Sequence, residues 1–106
     1  MTATLLPSER GREGAMQTLL VNHVDYTAAE LACALSEEAA ANKAVAVSIR
    51  KYLASPTCET SVNYHQQLAV LNELREQRER LYGSFKDAMS DLQGHIEGVR
   101  HASSSP

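Results

Sequence analysis

The apolar positions of this chain fall into two stripes, one in each half, that step four residues and then three on either side of Ser55-Pro56. The first runs Val24, Ala28, Leu31, Leu35, Glu38, Asn42, Val45, Ile49, Tyr52; the second runs Tyr64, Leu68, Leu71, Arg75, Arg78, Tyr82, Phe85, Met89, Leu92, Ile96, Val99. This spacing is the seam of a coiled coil. If the chain folds back near residue 58, Tyr52 comes level with Tyr64, Ile49 with Leu68, Val45 with Leu71, Leu35 with Tyr82, Leu31 with Phe85, Ala28 with Met89 and Val24 with Leu92. The polar breaks then meet each other, Glu38 opposite Arg78 and Asn42 opposite Arg75. A mismatch there would strand a half-buried charge, so the matching of the breaks supports the pairing more strongly than the apolar residues do.

The pattern predicts an all-α fold, an antiparallel bundle built on a long helix-turn-helix hairpin, with arms of roughly 40 residues that would each measure about 60 Å. Pro56 stops the first helix by disfavouring the helical region at Ser55, and Thr57, Thr60 and Ser61 offer capping oxygens for the second. Ser8 in Pro7-Ser8-Glu9 is the expected N-cap of the first helix, with Gly11 and Gly14 weakening its opening turns. Residues 1–106 form a single helical domain in this reading, with 1–13 and 101–106 expected to be frayed or disordered and Gly98 closing the second helix. A second, weaker stripe flanks the seam: Leu74, Leu81 and Ala88 in the second half, Leu20, Ala34 and Ala41 in the first. It either widens the intramolecular core, accepts a third helix or faces a partner.

Composition narrows the picture. With no Trp, one Phe and four Tyr in 106 residues, a thick core is out of reach, whereas alanines such as Ala39, Ala40, Ala41, Ala44 and Ala46 favour helix and close approach. A net charge of -3 argues against a nucleic-acid partner, and the run from Arg75 to Arg80 is interleaved with Glu73, Glu76 and Glu79 as a solvated, self-paired face. The start Met1-Thr-Ala-Thr-Leu-Leu-Pro has no basic leader, and no apolar run approaches the roughly 20 residues of a membrane span, so a cytoplasmic location is expected. Cys33 and Cys58 read as free thiols.

Nothing in the pattern points to catalysis. His23, His65, His95 and His101 include no helical zinc pair, there is no paired-cysteine knuckle and no phosphate-cradling loop, and His95 beside Glu97 reads as solvated. A two-helix arrangement also lacks the concave pocket in which a carboxylate or histidine could be tuned. The expectation is a non-enzyme without cofactor or metal. Ala54-Ser55-Pro56-Thr57 favours closure within one chain, a monomer, although the same seam could close between two copies.

The segment Gly14 to Tyr26 resembles the opening of the tubulin-binding cofactor A (tubulin-specific chaperone A) family in its Gly, Leu, Val and Tyr positions. Leu71, Glu73, Arg75, Ala88, Asp91-Leu92-Gln93 and Glu97 resemble that family's second helix in one ungapped register. The resemblance covers about half the chain, and this chain would carry roughly two extra heptads between the blocks, an insertion that lengthens both arms without shifting the seam. It implies a three-helix bundle whose third helix is here short, absent or formed by a break near residues 77–83, with Glu79 where the family often has a proline. It further implies a cytoplasmic, cytoskeleton-associated chaperone that binds beta-tubulin during assembly of the alpha-beta heterodimer. The partner-binding residues carried with it are Asp25, Glu30, Glu73, Glu76, Arg80, Asp91, Gln93 and Glu97. The alternative is a structural coiled-coil adaptor or tether subunit that binds another helical protein.

Overall fold

The computed structural model describes residues 7–104, with side chains from 11 to 101. Two helices make up the described chain: α1, Pro7–Ala54, of 48 residues, and α2, Cys58–Ser104, of 47. They form an all-α helical hairpin. α1 closes with the Ser55 N–H donating to the Lys51 carbonyl at 2.9 Å, and Pro56, which has no N–H to give, ends it. α2 opens on a reciprocal cap: the Thr60 N–H donates to Thr57 Oγ1 at 3.1 Å while the Thr57 N–H donates to Thr60 Oγ1 at 2.9 Å. Threonine takes the place of the usual glutamate in this capping box, and its hydroxyl lies 2.8 Å from the Ser55 carbonyl, which ties the cap to the turn.

The helices run further than the sequence suggested. Pro7 occupies the first helical position, which its fixed φ suits, so Ser8 is the second helical residue rather than the N-cap. Helix also covers 7–13 and 101–104, through Gly11, Gly14 and Gly98, none of which takes a positive φ; residues 1–6 and 105–106 of the expected frayed ends lie outside the described residues. α2 is unbroken over 77–83 and at Glu79, so no third helix forms among the described residues.

The chain divides into two compact units: Glu30–Gly83, which contains the turn, and a second made from the segments before and after it, 1–29 and 84–106. In the turn unit the expected register holds. The Tyr52 and Tyr64 rings stack with centroids 6.4 Å apart, and Glu38 meets Arg78.

The rotation of the helices about their own axes differs from the first reading. On α1 the fully buried positions are Thr27, Ala34, Ala41 and Ser48, spaced seven apart, and Leu31, Glu38, Val45 and Tyr52 beside them are half-buried. Leu35, Asn42 and Ile49, expected in the seam, are exposed. On α2 Leu71 and Ala88 are fully buried and Leu74, Arg78, Leu81, Phe85 and Leu92 half-buried, whereas Arg75, Tyr82, Met89 and Ile96 are exposed. One of the two lines expected in each helix is therefore replaced by its neighbour, and the stripe containing Leu74, Leu81, Ala34 and Ala41 is the core.

Packing and polarity both favour this solution. In the observed register Ala34 comes level with Leu81 and Ala41 with Leu74, small against large, which lets the helix axes approach. The alternative would draw Asn42 and Arg75 into the seam; the rotation leaves Glu38 and Arg78 as its central polar pair and lets Arg75 stand 48% exposed. The two buried hydroxyls are satisfied within the helix: Thr27 Oγ1 lies 3.0 Å from the His23 carbonyl, and Ser48 Oγ donates to Val45 at 2.8 Å.

Candidate partner-binding surface

In heptad terms the inner lines of α1 are 24, 31, 38, 45, 52 and 27, 34, 41, 48; those of α2 are 64, 71, 78, 85, 92, 99 and 67, 74, 81, 88, 95. The residue that follows each second-line position borders the seam, and in an antiparallel pair these bordering lines from the two helices share one flank. In the turn unit that flank carries Leu35, Asn42 and Ile49 of α1 and Leu68, Arg75 and Tyr82 of α2. The opposite flank carries Glu30, Glu37, Ala44, Lys51, Asn63, Val70 and Gln77, a mainly polar set. Within the turn unit the two flanks thus differ, the first being the more apolar.

The polar centre of the seam lies next to that flank. Glu38, only 13% exposed in its side chain, faces Arg78 Nε at 2.5 Å and Arg75 Nε at 3.7 Å. Arg78 Nε is shielded from solvent and has no acceptor in hydrogen-bonding geometry, so the Glu38 contact acts through charge rather than as an aligned hydrogen bond. Asn42, expected opposite Arg75, is exposed instead, because Arg75 reaches from the flank to Glu38.

On α1 the flank merges with a small-residue face. Ala32, Leu35, Ala39, Asn42, Ala46, Ile49 and Leu53 step three and four residues in turn, the spacing of a second seam on the same helix. Leu35 is 50% exposed, Ile49 36% and Leu53 73%, and only Ala46 is half-buried. The spacing of this line is present in the sequence, where Leu35, Asn42 and Ile49 fit the intramolecular seam equally well.

The residues expected to touch a partner are Asp25, Glu30, Glu73, Glu76, Arg80, Asp91, Gln93 and Glu97; all are exposed except Glu30, which is half-buried. Glu30, Glu73, Glu76 and Arg80 lie in the turn unit, and Asp25, Asp91, Gln93 and Glu97 in the other. In the turn unit Glu73, Glu76 and Arg80 share the outer face of α2, whereas Glu30 edges the polar flank of α1. In the other unit the Gln93 side-chain amide donates to Glu97 at 3.2 Å, and Asp91 is exposed.

The remaining candidate chemistry is sparse. The depressions include one near the turn lined by Lys51, Cys58, Glu59 and Thr60 and one along α1 lined by Gly14, Gln17, Thr18 and Val21, both open to solvent. Among the described residues no group of three or more His, Cys, Asp or Glu side chains could hold a metal ion, and no helix is long and apolar enough to cross a membrane. Cys33 and Cys58 are free and exposed. His95 is not the solvated residue its sequence context suggested: it continues the inner line of Leu74, Leu81 and Ala88, and its Nε2 is buried without a partner. His65 Nδ1 lies 2.7 Å from the Ser61 carbonyl, and its ring packs edge-on to Tyr64.

No family model, curated protein or solved structure matches this chain.

Proposed function

We propose that this chain is a structural coiled-coil subunit, an adaptor that docks on another helical polypeptide and does no chemistry of its own. The observation that carries the reading is the exposed seam-spaced line Ala32 to Leu53 on a hairpin whose own core is thin. The fully buried apolar residues among those described are three alanines and Leu71, while Leu35, Ile49 and Leu53 of that line are exposed. A helix laid along the flank buries that surface and completes a bundle, as the three-apolar-position pattern of bundle helices requires. The test compares native assemblies recovered with the tagged chain and with a tagged Leu35→Glu/Ile49→Glu variant. The reading expects a defined complex, larger than the free chain, that the variant loses while its far-UV helicity is unchanged; equal recovery with both would remove the flank from the account.

A second reading, binding of beta-tubulin as a folding cofactor, draws its support from the exposed charged face Glu73, Glu76 and Arg80 and from the family resemblance of the surrounding residues. An interaction of that kind is steered by charge and weakens with salt. A beta-tubulin pull-down, with Glu73, Arg75 and Asp91 reversed in charge as control, tests it: capture at low ionic strength that the control loses supports it, and no capture at low ionic strength ends it.

A further inference from the structure

His95 is out of keeping with its place. In the unit made from 1–29 and 84–106, the inner line of α2 carries Ala88 and His95, which come level with Thr27 and Leu20 of α1. Leu20 and Val24 of α1 and Leu92 and Val99 of α2 are the half-buried apolar residues around it, yet its Nε2 is shut off from solvent without a hydrogen-bond partner. A buried polar atom left unpaired is rare and costs free energy. The next line offers an apolar substitute at every step: Val21 and Ala28 follow Leu20 and Thr27, and Met89 and Ile96 follow Ala88 and His95. Val21, Met89 and Ile96 stand 38%, 45% and 43% exposed. We propose that His95 is a pH-responsive switch of this unit: once protonated it leaves the seam, and the two helices rotate so that Val21, Ala28, Met89 and Ile96 take the interior.

Turning each helix by about 50°, half the angle between successive residues, exchanges one line and keeps Val24, Phe85, Leu92 and Val99 inside. In the turn unit the same exchange draws Asn42 and Arg75 inward; here it removes Thr27 and His95, and every residue that replaces them is apolar. With a neutral imidazole the observed packing has the close approach of Thr27 and Ala88, both fully buried, in its favour. Protonation adds a full charge and a second N–H donor to a ring whose buried nitrogen has no acceptor. The charged or titratable groups on the turns packed around it are Glu13 and His23 of α1 and Asp91, Glu97 and Arg100 of α2. None of them bonds to Nε2 as the unit is packed. Asp91, one turn before His95 in the favourable acid-before-base order, borders the seam on the side towards which the rotation carries the imidazole. Histidine changes charge between about pH 5 and 8, so the observed packing holds at the upper end of that range and gives way at the lower. The exchange hides Met89 and Ile96 and turns Leu20 and His95 outward, so the surface this unit presents changes with pH.

Isoleucine methyl NMR of the full chain tests the switch, because the chain has two isoleucines, Ile96 in this unit and Ile49 in the other. Methyl relaxation by a neutral, soluble paramagnetic agent reports exposure, read from about pH 8 to about pH 5 with far-UV circular dichroism on the same samples. The expected result is an Ile96 methyl that becomes several-fold less accessible towards the acid end, an Ile49 methyl that does not change, and helicity retained throughout. His95→Leu should abolish the response; His95→Gln, uncharged but polar, should abolish it too, which separates loss of the charge from the packing of a leucine. His23→Gln and His101→Gln should leave it in place. An Ile96 methyl equally accessible at both ends of the range overturns the proposal. So does a loss of helicity with Ile96 still exposed, which is opening of the helix ends without rotation, and so does a response that survives in His95→Leu and His95→Gln, which assigns the trigger to another group.

Discussion

At the scale of single residues, polar side chains decide most of what is distinctive here. Glu38 holds the centre of the seam against Arg78 and Arg75, two cations that would otherwise stand beside an apolar core without a counter-charge. Replacing Glu38 by Ala should destabilise the hairpin by about 1–2 kcal/mol, below the cost of breaking a fully buried pair because the arginines remain partly solvated. Chemical denaturation measures it, and the double replacement Glu38→Leu/Arg78→Leu should recover most of the loss. The cap at the turn is the second such device: Thr57→Ala removes the acceptor for the Thr60 N–H and should cost about 1 kcal/mol, whereas Thr57→Ser should cost less than half as much. The matching of Glu38 with Arg78 and of Tyr52 with Tyr64 was legible in the sequence, because a charge or a ring in an apolar line has few admissible partners. Thr27 and Ser48 were not legible as core, since a pattern search scores them as polar while the helix satisfies their hydroxyls on its own carbonyls.

At the scale of the helices, the sequence supplied two candidate lines for each seam, and the choice between them depended on volume rather than hydrophobicity. Leu35 and Ile49 are more apolar than Ala34 and Ser48, which took the interior of α1, but the small α1 line leaves room for Leu81 and Leu74 of α2, and the rotation keeps Asn42 and Arg75 near water. Leu71→Ala should therefore cost about 2–4 kcal/mol, and Ala34→Leu, which forces a large side chain into the narrow line, about 1–3 kcal/mol. Met89→Ser, outside the seam, should shift the unfolding midpoint hardly at all. The glycines offer the opposite test. A Cβ at Gly83 meets nothing within 4 Å, so Gly83→Ala should stabilise α2 by about 0.5–1 kcal/mol, read as a higher denaturation midpoint with unchanged m-value.

At the scale of the whole molecule, the fold class and the place of the turn followed from the periodicity of the chain, but the candidate binding surface did not. Its residues could be named from the sequence, yet the same numbers served the intramolecular seam equally well until the rotation of α1 was known. With Leu71 and three alanines as the fully buried apolar residues among those described, the hairpin should gain stability from anything that covers the flank. Anything that binds the folded form and not the unfolded chain raises the melting temperature with its own concentration. The most direct measurement is thermal unfolding of the chain, followed by far-UV circular dichroism, with the partner recovered on the tagged chain added at concentrations spanning about three decades. Docking along the α1 line predicts a melting temperature that climbs with partner concentration in the native chain and stays flat, at the lower value, in Leu35→Glu/Ile49→Glu. A single cooperative transition at one temperature across the whole range, identical in chain and variant, would contradict it.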